Sequence, residues 1–143
     1  ERNCRSNDVY NPREKEIADY GELYWERHKK EFPVRDTVRK VSPPIIMKKQ
    51  FDMLSEMRDI FVKHSTNCKI LINPKYDQVR LNPSDLKQLQ DIFGAANVFD
   101  FSGVNEFTSD VHNYYEKGHY RPLLGRKILE AMYGKRDTIG IVQ

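Results

Sequence analysis

Lys69-Ile70-Leu71-Ile72-Asn73-Pro74 is the stretch on which the fold class turns. A short apolar run closed by Asn-Pro reads as a buried strand. Downstream, Asn82-Pro83-Ser84 carries an N-cap followed by a proline suited to the first helical turn. Leu86, Leu89, Ile92 and Phe93 then recur at helical spacing until Gly94, a natural stop. Asn97 to Phe101 reads as a second strand. Upstream, Ser42-Pro43-Pro44 opens a helix over about 45–65. Met47, Phe51, Leu54, Arg58 and Phe61 form its stripe, and Met57 and Ile60 widen it. The order is helix, strand, helix, strand. Such alternation argues for an α/β layered fold with a parallel sheet. Two strands do not make a stable sheet alone. Further strands are therefore expected from residues 1–44 or from outside this chain.

The pattern is less regular on either side. Residues 102–121 read as a long loop of polar and aromatic groups. Pro122 opens a last helix, with Leu124, Ile128 and Met132 on one side and Gly134 as its stop. Ile139, Ile141 and Val142 suggest an edge strand in the tail. Residues 1–10 are polar and read as loose. From Asn11-Pro12 a helix is expected to about Phe32, with Ile17, Tyr20, Tyr24 and His28 on one face. Gly21 weakens that helix, and Pro33 follows its end. The chain thus divides into an N-terminal helix and linker, 1–44, and an α/β part, 45–143. Repeats and low-complexity segments are absent.

The bulk numbers exclude some classes. The chain has 143 residues, 24 basic and 21 acidic, for a net charge of +3. The two signs are interspersed, so no basic face or tail points to nucleic acid. With 38% hydrophobic and 31% charged residues, the composition fits a folded domain rather than a disordered chain. Cys4 and Cys68 sit in no metal-ligand spacing. A disulfide between them and a pair of free thiols both stay open. No apolar run approaches the roughly 20 residues of a bilayer span, and no signal peptide is evident. Because the chain starts at Glu1, it reads as a processed product or a fragment, with room for an anchor or signal upstream.

Chemistry concentrates near residue 119. Of the four histidines, His28 and His64 lie on helices beside charged neighbours and have no evident partner in the sequence. His119 lies in Asn113-Tyr114-Tyr115-Glu116-Lys117-Gly118-His119-Tyr120-Arg121-Pro122, just before a helix. In a tight turn, Glu116 can reach the imidazole N–H, fix its tautomer and stabilise the imidazolium formed when the ring takes a proton. Gly118 leaves room for that turn. A metal site from Asp110, His112, Glu116 and His119 matches no standard spacing, and no metal or cofactor is expected. Tyr114, Tyr115 and Tyr120 either line a sugar cleft or pack the loop. Arg121 either clamps an anionic substrate or pairs with Glu116. The chain has no Gly-Asp-Ser and no Gly-x-Ser-x-Gly. Ser102, at a strand end before Gly103, reads as a turn residue rather than a nucleophile.

Phe99-Asp100-Phe101-Ser102-Gly103, the block from Asn113 to Pro122, and Gly125 together resemble the last block of SGNH hydrolase-like proteins. The likeness is greatest to the bacterial cell-envelope branch that includes the D-alanyl-transfer (DltD-like) group, and it covers roughly residues 45–134. That block normally reads acid-x-x-His with Asp as the acid; here the acid is Glu116, and triads with Glu exist. Gly103-Val104-Asn105 echoes the family's Gly-x-Asn block but lies too near His119 in sequence for that role. The resemblance implies a three-layer α/β/α, flavodoxin-like fold, of which this chain is a C-terminal portion. It also implies a serine acyl hydrolase or O-acyltransferase acting on an acylated carbohydrate or polymer of the cell envelope. His119 and Glu116 would be catalytic, with Tyr115, Tyr120 and Arg121 binding substrate. The nucleophile would lie outside this chain, and the location would be extracytoplasmic or periplasmic, with a membrane anchor upstream. The alternative is a non-catalytic module that binds a carbohydrate or a protein.

Overall fold

Asn11 sets the first helix, α1 (Pro12–Tyr20), by accepting the Arg13 N–H on its side chain at 3.0 Å. The computed structural model describes residues 11–36 and 38–134. The expected single helix to Phe32 is broken. Gly21, at φ 54°, ends α1, and the chain continues as α2 (Leu23–Arg27) and a 3-10 turn, Lys29–Glu31. A positive φ is cheap for glycine alone. The break lets Ile17 and Tyr24 bury together against Tyr115, with Trp25 packed beside them.

α3 (Lys48–Lys63) starts later than the sequence pattern suggests. The reason is Asp85, fully buried in the first turn of α4. Its carboxylate accepts the N–H groups of Ile45 and Ile46 at 2.9 and 3.1 Å, which holds that stretch extended. α4 (Pro83–Phe93) runs from the Asn82 cap to Gly94 as the sequence indicates. It connects β1 (Ile70–Ile72) to β2 (Val98–Asp100), which pair in parallel with Ile70 opposite Val98 and Ile72 opposite Asp100. Leu89, Ile92, Phe93 and Val98 form the core of this unit, and Leu54 and Phe61 of α3 pack on it. The fold is mixed α/β, with the alternation the sequence implied. The parallel sheet has two strands among the described residues. The described part of the first 44 residues adds no strand to it, only a single parallel bridge from Val41 to Arg80.

The expected loop over 102–121 is instead structured. Asn105 and Thr108 form a capping box that starts the short helix α5 (Glu106–Ser109). A 3-10 turn, Val111–Asn113, leads into an antiparallel hairpin, β3 (Tyr114–Glu116) and β4 (His119–Tyr120). Aromatic residues favour strands, and Lys117-Gly118 supplies the turn. α6 (Pro122–Tyr133) buries Leu124 and Ile128 against Tyr76, Phe101 and Tyr114. Cys68 is a free thiol; Cys4 and the expected tail strand at 139–142 lie outside the described residues. No helix among the described residues is long and apolar enough to cross a membrane.

Candidate functional site

The hairpin turn brings Glu116 and His119 together. Glu116 ends β3, His119 begins β4, and two residues lie between them. The Gly118 N–H donates to Glu116 Oε2 at 2.6 Å, and Glu116 Oε1 meets His119 Nδ1. A Cβ at position 118 would stand 3.2 and 3.4 Å from the two carboxylate oxygens, so glycine gives the carboxylate its room. The Glu116 side chain is only 18% exposed and the His119 ring 82%. Burial pushes the Glu116 carboxyl up, but the Gly118 N–H, His119 and the more distant Arg13 charge outweigh it and hold the group below its usual range. With Nδ1 turned to the carboxylate, His119 presents Nε2 outward, and Nε2 has no partner among the described residues. A carboxylate-oriented imidazole with a free Nε2 has the arrangement of a general base.

This pair borders a recess of about 340 Å³ whose other walls are Asn11, Arg13, Glu31 and Tyr115. α1 and the 3-10 turn therefore build half of it. Lys117 N–H donates to Glu31 C=O at 3.3 Å, tying the hairpin tip to that turn. Arg13 reaches Glu31 Oε2 at 2.9 Å and the Tyr115 carbonyl at 3.1 Å.

Tyr115 and Arg121 are joined to each other through Glu14. The Tyr115 hydroxyl donates to Glu14 Oε1 at 2.8 Å. Arg121 donates from Nε and Nη2 to the two Glu14 oxygens, each at 2.9 Å, and from Nη1 to the His112 carbonyl at 3.1 Å. Of the two roles the sequence left for Arg121, neither pairing with Glu116 nor a free clamp describes this contact. The Arg121 fork holds Glu14 below its ordinary carboxylate range. Burial pushes the Tyr115 phenol far up and the Tyr114 phenol up to about 12. Tyr120 is half-buried, pairs with Tyr114 across the hairpin and packs against the α6 core. Of these residues, only Tyr115 also lines the recess beside Glu116 and His119.

Two histidines have partners the sequence did not reveal. His28 lies between Glu16 at 2.9 Å and Glu31 at 2.8 Å, and these carboxylates raise its pKa. His112 lies between Asp110 at 2.6 Å and Glu22 at 2.9 Å, edge-on to the Trp25 ring. Partial burial lowers its pKa, but the two carboxylates win and raise it. Among the described residues, no three His, Cys, Asp or Glu side chains converge to hold a metal ion. Ser102 is a turn residue: its hydroxyl donates to Asp100 Oδ1 at 2.6 Å and accepts the Leu81 N–H at 2.8 Å. The Asn105 amide caps α5 and donates to the Phe101 and Ser102 carbonyls.

Sequence reading missed Glu14, Arg13 and Glu31. Their partners lie up to 107 positions away, and an acidic residue in a first helical turn is too common to single out. The chain matches no protein-family model, and no curated protein or solved structure is detectably similar to it.

Proposed function

We propose that Glu116, Gly118 and His119 form the acid–base half of a Ser-His-Glu acyl-transfer site whose serine is contributed from outside this chain. The observation that supports this is the clamp itself: a carboxylate fixed by a backbone N–H, an imidazole fixed by that carboxylate, and a free Nε2. In this reading Nε2 takes the proton of a serine hydroxyl as its oxygen attacks an ester carbonyl. Nε2–H then returns the proton to the leaving alkoxide as the carbonyl re-forms, leaving an acyl-enzyme. Water or a sugar hydroxyl, deprotonated by the same Nε2, releases the acyl group. The parallel β1–α4–β2 unit belongs, in this reading, to a three-layer, flavodoxin-like fold completed by strands beyond this chain. The SGNH-like resemblance adds the substrate class, an acylated envelope carbohydrate or polymer, and an extracytoplasmic setting. Tyr115, buried and tied to Glu14, would shape the wall of the recess that takes substrate, with Tyr120 and Arg121 bracing β4 behind it.

Hydrolysis of a simple acetyl ester by the longest natural product of the gene tests this. General-base assistance contributes about 10²–10⁴-fold. His119→Ala should lower kcat/KM by about that factor, and Glu116→Gln by less. A variant lacking His119 that keeps the full rate would remove the proposal.

One observation favours a second reading, a non-catalytic protein-binding module. Met53, Met57 and Ile60 share one face of α3 at helical spacing, and they are 54%, 46% and 56% exposed. Catalysis by the longest form separates the two readings.

A further inference from the structure

A second recess, sharing no residue with the first, lies just beyond the carboxyl end of β2. Backbone pairing creates it. Arg80 N–H donates to the Lys40 carbonyl at 2.9 Å, and Ser42 N–H donates to the Arg80 carbonyl at 2.8 Å. This bridge brings Arg39, Lys40 and Arg80 around one hollow of about 450 Å³. Gly103 lies under Arg80. Its φ is +76°, and a Cβ there would stand 3.2 Å from the Arg80 Cβ, so only glycine lets the arginine stem pass so closely.

The charges in this hollow are unevenly matched. Lys40 pairs with Asp36 at 2.8 Å on the exposed side. The guanidinium groups of Arg39 and Arg80 have no acceptor among the described residues. The one carboxylate in the lining is Asp100. Its Oδ1 is already bonded by the Ser102 N–H at 2.9 Å and the Ser102 hydroxyl at 2.6 Å. Its Oδ2 accepts nothing among the described residues. The exposed Arg39, Lys40 and Arg80 thus line the hollow against one carboxylate, and a bound dianion would offset that excess of positive charge. Guanidinium forks match phosphate oxygens two at a time. Open α/β sheets place ligands at the carboxyl ends of their strands, and this hollow has the size of a small-molecule site.

We propose that this recess binds a small phosphate monoester carried on a polyol or sugar. Arg39 and Arg80 grip the phosphate, and the free Asp100 oxygen accepts a hydroxyl of the carrier.

The test is an amide nitrogen–proton NMR titration of this chain with inorganic phosphate, glucose 6-phosphate and a single-stranded oligonucleotide, with ionic strength held constant by chloride. The expected result is saturable shifts at Lys40, Val41, Arg80 and Gly103, with glucose 6-phosphate binding more tightly than inorganic phosphate. Arg80→Gln should weaken binding about tenfold or more, and Arg80→Lys less. Each spectrum also reports whether its variant is folded; if Arg80→Gln is not, Arg39→Gln on the exposed segment serves in its place. Shifts that do not saturate, shifts spread evenly over all basic residues, or binding of the oligonucleotide alone would each overturn the proposal.

Discussion

The β1–α4–β2 unit and the hairpin clasped by α1 and α2 are held together in opposite ways. The first joins neighbours in sequence through apolar packing, two helix caps and the buried Asp85. The second joins the two ends of the chain through polar contacts. The Tyr24 hydroxyl bonds the Tyr115 carbonyl at 2.7 Å, Glu14 bonds Arg121 and Tyr115, and His112 bonds Glu22. Apolar packing is non-directional, whereas a half-buried polar network depends on each directional partner. The candidate site stands on the second kind of support, so changes in the polar network should reach its geometry while changes in the apolar unit should not.

The largest effect should come from the apolar unit. Ile92→Ala removes a buried side chain from its centre and should cost about 2–4 kcal/mol. Urea unfolding should show a lower midpoint with the slope unchanged. His119 chemical shifts in the folded protein should not move, because among the described residues none of that core cluster comes from the hairpin or lines the recess beside His119.

Next comes the clasp. Glu14→Gln removes the charge that satisfies Arg121 and replaces one of the two acceptor oxygens with an NH2 group, leaving one amide oxygen for the Tyr115 hydroxyl and the Arg121 fork. The loss should be about 1–3 kcal/mol. A double-mutant cycle with Arg121→Gln should give a coupling energy well above that of an exposed ion pair. Additive losses would mean that the fork contributes little. Unlike Ile92→Ala, this change should shift the amide signals of Tyr115 to Tyr120.

A smaller effect is expected from pH. His28 and His112 have raised pKa values in the folded chain. Their contribution is therefore complete below the ordinary histidine value of 6.5 and is lost as pH rises through the raised folded values. Glu14, Glu31 and Glu116 are lowered, so theirs is complete above about 4.5 and is lost as pH falls through the lowered values. The clasp should be firmest between these limits. His28→Gln should flatten the alkaline side of the stability profile, leaving the part that His112 supplies, and should also reduce the acid-side part from Glu31, which His28 holds low; an unchanged alkaline slope would show that the Glu16–His28–Glu31 bridge is not felt.

The same contrast explains what could be read from the sequence. Asn82-Pro83 and Gly94 marked both ends of α4, because caps and stops are local chemistry. Ile70 to Ile72 were legible as a strand from composition alone. Gly21 was visible as a weak point but not as a break, since the gain from turning Tyr24 onto Tyr115 depends on a residue 91 positions away. The hairpin was missed because β3 and β4 are too short to carry a periodic signal. The Glu116–His119 contact was legible because both partners lie in one turn. The walls supplied by Arg13 and Glu31 were not, because they come from the other end of the chain.

The most direct test of the acid–base role of His119 is fluorophosphonate labelling, read by intact mass, of this chain and of the longest natural product of its gene. The account predicts that only the longer form gains the adduct, on a serine outside this chain, and that His119→Ala slows the labelling. An adduct on Ser102, or no adduct on a folded longer form, would contradict it.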